Sequence, residues 1–373
     1  MKPMKLLKLV VTLGSLGCAL GIPRAADAQP AADKRLVQKI SIDAQNQSVI
    51  GLLQELGEKH KLPVDIDPSV AEEGLDGGTS FSLTAEGVML GSVIHLACES
   101  VGLNWRVEKG RLLVTTKMAD SEKMTVREYP LVAFGGGIDP QVLAEDLTAL
   151  TSGPWMDVDG DGGAITGITP RSLTIRQSSV VHQQLQTLFD QISAANGRAR
   201  APSVQERADQ LILRKLQTPS QFSAESEELP QLLDQLLKQN GVPYWIDTIA
   251  LADEGIEWTK LSSAVEAKKM PTAARLDAIA NEHKLSWSVG SEVVQITSAA
   301  KADEQLTTRV YNVRRLIGPN RPSDAIVAQM LNNAELGPWV DTDGDGGTAV
   351  AVGHLLLVRH NAKTLAKITK LLN

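Results

Sequence analysis

The sequence predicts an α+β protein of four small modules in two tandem repeats, each repeat running β-α-β-β-α-β-β and then β-α-β-β-α. Three observations carry that expectation. Gly153–Gly163 (GPWMDVDGDGG) and Gly337–Gly347 (GPWVDTDGDGG) agree at nine of eleven positions, 184 residues apart. A weaker match surrounds them: Pro63 and Asp67 answer to Pro243 and Asp247, Trp105 to Trp287, Tyr129 to Tyr311, and Leu185 to Ile368. The offset creeps from 180 to 184, as short loop insertions would cause, and such a period is too long for a solenoid repeat. Finally, short runs of alternating polarity are interleaved with stretches of helical periodicity, which places strands and helices along the whole chain.

In the first repeat, Leu36 to Ile42 alternates and reads as a strand. Ser48 caps a helix with Val49, Leu53 and Leu56 on one face, ending near His60. Pro63 to Asp67 and Thr79 to Leu83 are short strands. Leu90, Val93, Ile94, Ala97 and Val101 then fall at amphipathic helical spacing. Asn104–Val107 and Arg111–Thr115, joined by Lys109-Gly110, make a hairpin. A second unit follows: strand Thr125–Val132, helix Val142–Leu150, a strand opened by Trp155 and interrupted by the Asp/Gly turn, strand Ser172–Arg176, and a helix lined by Val181, Leu185, Leu188 and Ile192. Residues 195–216 have linker character, with Val204 to Leu216 helical. The first order returns as a strand near Phe222, a helix with Leu229 to Leu237, a strand at Tyr244–Asp247, a helix from Thr272 to His283 and a hairpin at Trp287–Ile296. The second returns from Thr307 and ends in a helix with Leu365, Ile368 and Leu372. These limits divide the chain into modules at 37–118, 122–194, 217–300 and 304–373.

Bulk properties narrow the function. Residues 1–28 read as an export signal: Lys2, Lys5 and Lys8 precede an apolar run from Leu9 to Ile22, and Ala26-Asp27-Ala28 is a small-x-small cleavage site. The run is short of the roughly 20 residues a membrane span needs, so no transmembrane segment is expected in the mature chain. Ser15-Leu16-Gly17-Cys18 partly matches a lipobox, with Ser15 where a large aliphatic residue is expected. Cleavage after Ala28 removes Lys2, Lys5, Lys8, Arg24 and Asp27 and takes the net charge from −7 to −10, which argues against nucleic acid as a partner. Cys98 is then the only cysteine, on the apolar face of a helix, and reads as a small buried side chain. Aromatic residues make up 3% of the chain, so the cores are built from aliphatic side chains, as suits several small modules.

The stretch SFSLTAEGVMLGSVIHLACESVGLNWRVEKGRLLVTT (Ser80–Thr116) resembles the short N-terminal domain shared by secretins and TonB-dependent receptors. LTIRQSSVVHQQLQTLFDQI (Leu173–Ile192) is similar to the strand and His-containing helix of the secretin ring-building domains. The likeness covers about residues 37–194 and, more loosely, 217–373. It implies modules that bind partner proteins or pack side by side in the periplasm, without catalysis. Neither a secretin channel nor a receptor barrel accompanies them, so pore formation and uptake are not implied.

Asp157, Asp159 and Asp161, followed by Gly162, take spacings 1, 3, 5 and 6 of a calcium loop, and Asp341, Asp343, Asp345 and Gly346 repeat them. The position of the bidentate Glu holds Ile168 and Val352, so an Asp/Gly turn is the competing reading. Trp155 and Trp339 are candidates for ligand stacking or for lids on small cores. The six histidines are dispersed without metal-binding spacing, and no P-loop, nucleotide fingerprint or G-x-S-x-G is present. The expectation is an exported, non-enzymatic binding or scaffold protein, periplasmic or surface-associated. Its partners would be other envelope proteins or further copies of itself, and it would have no cofactor except a possible calcium. A calcium-dependent adhesion module and, more remotely, a polysaccharide or peptide hydrolase are the alternatives.

Overall fold

Residues 33–75, 80–134, 139–198, 202–319 and 321–372 are described by the computed structural model. The export signal and Cys18 lie outside the described residues. The first elements are β1 (Lys39–Ser48), α1 (Val49–Lys59), β2 (Val64–Ile66), α2 (Ser69–Glu72), β3 (Ser80–Met89), α3 (Leu90–Ser100), β4 (Leu103–Glu108), β5 (Arg111–Thr116) and α4 (Lys117–Glu122). Next come β6 (Thr125–Pro130), α5 (Pro140–Leu150), α6 (Met156–Asp159), β7 (Ala164–Ile168), β8 (Ser172–Gln177) and α7 (Ser179–Ala195). Helix α8 (Val204–Gln217) leads to β9 (Pro219–Glu228), α9 (Leu229–Leu236), β10 (Tyr244–Ile246), α10 (Thr248–Asp253), β11 (Ser262–Pro271), α11 (Thr272–His283), β12 (Leu285–Gly290) and β13 (Val293–Ser298). After them follow α12 (Ala299–Glu304), β14 (Thr307–Asn312), α13 (Ser323–Leu331), α14 (Val340–Asp343), β15 (Thr348–Val352), β16 (Leu355–His360) and α15 (Ala362–Leu372). The fold is α+β, with small sheets ordered β1-β3, β2-β5-β4, β6-β8-β7, β9-β11, β10-β13-β12 and β14-β16-β15.

Local chemistry sets the helix starts. Ser48 and Ser178 accept from the amides of Gly51 and Val181 at the heads of α1 and α7. Asp139 caps α5, with Pro140 in the first turn. Ser203 and Glu206 close a reciprocal capping box on α8, which makes most of the expected linker helical.

Three expected strands depart from the sequence reading. β1 and β3 run for ten residues each, longer than their alternation indicates, because bulges fall between Ile40 and Ser41 and between Ala44 and Gln47. Each bulge shifts the period-two pattern by one residue and breaks the signal. The strand expected at Trp155 is a single parallel bridge to Gly163, followed by the one-turn helix α6.

Four apolar clusters form the interior, and the way they are shared governs the architecture. The first, built on β1–β5, also contains Trp245 and Val293 of the second repeat. The second, built on β6–β8, α5 and α7, also takes in Val352, Leu355 and Leu357. In both halves, therefore, the second copy's outer sheet face is covered by the first copy. Phe81 stacks on Trp245 with ring centroids 6.2 Å apart. Helix α7 lies along the free edge of β14, where the Gln191 amide replaces a strand. Its Nε2 donates to Thr308 O at 3.1 Å, and its Oε1 accepts from Val310 N at 3.0 Å. Asn312 Nδ2 donates to Ala195 O, and Thr308 Oγ1 to Leu150 O.

The first copy's equivalent faces are polar. Trp245 and Val293 are 5% and 0% exposed; at their positions stand Asp65 and Arg111, a bidentate ion pair in solvent. Leu355 and Leu357, 1% and 0% exposed, are matched by Ser172 and Thr174, and the partly buried Val310 by the exposed Glu128. Burying each such aliphatic side chain stabilises by about 1.5–3 kcal/mol. The copies have diverged at the positions where one face is covered and the other is wet.

Glu292 locks the join. It sits in the β12–β13 turn at φ 65, where the first copy has Gly110, and is 3% exposed. Its carboxylate accepts from Met89 N and Ser92 Oγ at the head of α3, which has no side-chain cap of its own, and pairs with Lys39. A carboxylate at that helix N-terminus is favoured by the dipole as well as by the hydrogen bonds.

Candidate interaction surfaces

The two Gly-Pro-Trp loops share a set of hydrogen bonds, with the Gly337–Pro338 peptide cis and the Gly153–Pro154 peptide trans. Trp155 and Trp339 are 2% and 1% exposed, each closing an apolar cluster. The Trp155 amide donates to Asp159 Oδ2 at 2.7 Å, and the Trp339 amide to Asp343 Oδ2 at 2.8 Å. That backbone bond, followed by the Thr342 hydroxyl, holds the Asp343 carboxyl below its ordinary pKa. Pro154 O accepts from Gly163 N and Gln177 Nε2; Pro338 O accepts from Gly347 N and His360 Nε2. Gly162 and Gly346 sit at φ 100 and 99, and a Cβ there would lie 2.4 and 2.3 Å from those proline carbonyls. The repeated motif is thus accounted for by loop closure around a buried Trp.

Asp157, Asp161, Asp341 and Asp345 point to solvent on these loops. The one-turn helices α6 and α14 take up the first two aspartates of each loop, and Asp159 and Asp343 bond the tryptophan amides. Among the described residues no group of three or more His, Cys, Asp or Glu side chains is placed to hold a metal.

Other sequence-level candidates are interior residues. His182 is 0% exposed, with Nδ1 2.8 Å from Tyr129 Oη and Nε2 2.9 Å from Thr125 O. Burial lowers its pKa, partly offset by the Thr125 carbonyl, so it is neutral at physiological pH. Burial pushes the Cys98 thiol up to about 12, which leaves it inert.

What lies outside is more informative. By the register β6 shares with β14, the backbone groups of Val126 and Glu128 point away from β8, as those of Thr308 and Val310 point away from β16. In β14 the Gln191 amide satisfies them. Among the described residues nothing meets them in β6, and Val126 is 54% exposed. A cleft of about 770 Å³, lined by Asn104, Lys117, Gln183, Thr187, Thr308 and Arg359, opens where the copies meet. Among the described residues Arg359 has no carboxylate within ion-pair distance, and burial lowers its pKa.

No family model and no curated protein matches the chain. Among solved structures it is similar to a chain of the InvGN0N1:SpaPQR:PrgHK assembly of the Salmonella SPI-1 injectisome base. Identity is 12%, covering 41% of this chain and 91% of that one, with a TM-score of 0.19. The N-terminal domain of the secretin XcpQ from Pseudomonas aeruginosa is 14% identical over 41% of this chain and 62% of that one, with a TM-score of 0.16. A second XcpQ structure, XcpQN012, is 9% identical over 89% and 95%, with a TM-score of 0.18. Superpositions this poor carry no weight for fold or function, which rest on the chain's own geometry.

Gln191, Glu292 and the outer strand positions went unnoticed at the level of motifs. A signal for them exists in the sequence: with the copies aligned, Thr174 against Leu357, Ser172 against Leu355 and Asp65 against Trp245 mark one face as polar and its counterpart as apolar.

Proposed function

We propose that this chain is an exported, non-enzymatic protein-binding or scaffold protein of the bacterial envelope. In this reading residues 37–118, 122–194, 217–300 and 304–373 are four modules, and the first pair holds the second. The observation that carries the proposal is the edge of β6, unpartnered among the described residues and beside an exposed Val126, in a molecule that closes the equivalent edge of β14 with its own Gln191. An open strand edge of this kind takes an added strand from a partner. The export signal supports the envelope as its place. Among the described residues no helix is long and apolar enough to cross a membrane.

Glu128→Pro removes the outward amide without touching the cores. With a photoreactive side chain in place of Val126, the wild-type edge should crosslink a discrete envelope protein, and the Glu128→Pro chain should lose that product while melting at nearly the same temperature. A crosslink that persists unchanged in Glu128→Pro refutes strand addition at β6.

A further inference from the structure

The packing of first copy on second is head-to-tail: the α5/α7 face of one unit lies on the β14-β16-β15 face of the next. A contact of that type uses two different surfaces, so it leaves one of each free at the ends and continues unless something stops it. The free helix face belongs to α13 and α15, and the free sheet face to β6-β8-β7. These two ends differ sharply in chemistry.

The helix end keeps the apolar contact of the docking face, although α15 does not reach the positions of Gln191 and Ala195 that bond β14. Leu371 stands on α15 where Leu188 stands on α7. Leu188 is 1% exposed among Val352, Leu355 and Leu357 of the second copy, whereas Leu371 is 51% exposed. Lys363, Lys367 and Lys370 are exposed on the same helix, Lys367 donating to Glu335 O. The sheet end does not keep them. Glu128, Ser172 and Thr174 occupy the positions of Val310, Leu355 and Leu357, and covering them would bury an uncompensated carboxylate and two hydroxyls. The other half of the repeat adds a second mismatch. Asp65 and Arg111 replace Trp245 and Val293, and Ser263 stands in the second copy where Phe81 stacks on Trp245 in the first.

We infer that the α13/α15 face docks an apolar three-stranded sheet face of the second-copy type, rimmed by acidic side chains and carried by a different protein. The polar sheet faces of the first copy are what keep another copy of this chain out of that place. This surface is separate from the β6 edge, and the inference stands or falls apart from the strand-addition reading.

The test gives the chain the sheet face it lacks. In the mature full-length chain, Glu128→Val, Ser172→Leu and Thr174→Leu reproduce the second copy's face and leave the β6 amides intact. Sedimentation velocity should find wild type at single-chain mass across the concentration range and the triple variant at multiples of it, increasing with concentration. Adding Leu371→Asp should return the triple variant to single-chain mass. A triple variant that stays single while circular dichroism shows it folded overturns the inference. So does association that survives Leu371→Asp, which would be unspecific aggregation, or wild-type association that Leu371→Asp abolishes.

Discussion

Leu357 and Thr174 occupy equivalent positions in the two copies, and exchanging their chemistry should have opposite costs. Leu357 is 0% exposed in the middle of β16, between Val310 on β14 and Val350 on β15, under the helices of the first copy. Leu357→Thr removes part of a fully buried aliphatic side chain, where Leu→Ala changes cost about 2–5 kcal/mol. The new hydroxyl must also find a partner among apolar neighbours or add about 1–3 kcal/mol. Threonine fills more of the space than alanine, so the net expectation is about 3–5 kcal/mol. Thr174 is only half-buried and faces water, so Thr174→Leu should shift stability by no more than about 0.5 kcal/mol. Urea unfolding followed by tryptophan fluorescence reads both, with equal slopes required for the comparison. If Leu357→Thr costs under about 1 kcal/mol, the covered face is not covered, and the head-to-tail join is wrong.

Glycine positions on the Trp loops separate in the same way: Gly346→Ala should cost about 2–4 kcal/mol, since its Cβ meets Pro338 O at 2.3 Å, and Gly344→Ala, at φ 85 in open space, only about 1 kcal/mol. Equal melting temperatures for the two variants would contradict the loop geometry. Asp146 on α5 has its pKa pushed up to about 6 by burial and, second, by Glu145. The folded state therefore resists its charge, and the resulting instability is present above pH 6 and relieved as pH falls through that value. Asp146→Asn should stabilise by about 1–2 kcal/mol at pH 7, by roughly half of that at pH 5 and by little at pH 4, and melts at pH 7 and pH 4 that both match wild type would refute the assignment. Calcium or a chelator should leave the melting temperature unchanged, because Asp159 and Asp343 are committed to the tryptophan amides. A calcium-dependent rise that Asp157→Asn removes would establish the metal reading instead.

Legibility in the sequence followed how local the determining physics is. Helix α3 was readable because Leu90, Val93, Ile94 and Ala97 all face one core, and their spacing records that directly. The ends of β1 and β3 were not, since bulges interrupt the alternation that betrays a strand. β11 and the one-turn helices α2, α6 and α14 carry too few residues of any period, or the wrong one, to stand out. The Asp-rich turns are legible as turns from their Asp and Gly content, and the hydrogen bonds that shape them are not. The proline carbonyl, the buried Trp and the Asp side chain bend the segment into a helical turn, which spacing alone does not reveal.

The contrast between the loops and the outer faces also explains why the copies match where they do. Each Gly-Pro-Trp loop is self-contained: its carbonyl acceptor, its capping Asp and the glycine that admits the proline oxygen all lie within the same eleven residues. These constraints recur in both copies, so near-identical sequences satisfy them, while the donor to the proline carbonyl from outside the loop differs, Gln177 in one and His360 in the other. A sheet face has no such internal reference. Whether Leu or Thr is favoured at the position of Leu357 and Thr174 depends on what lies against it, and among the described residues only the second copy has helices there. A tandem duplication with two identical copies would leave an apolar sheet face bare at one end. The polar residues on the first copy therefore follow from the geometry of the join, whereas the exposed Leu371 on α15 is not set by that join.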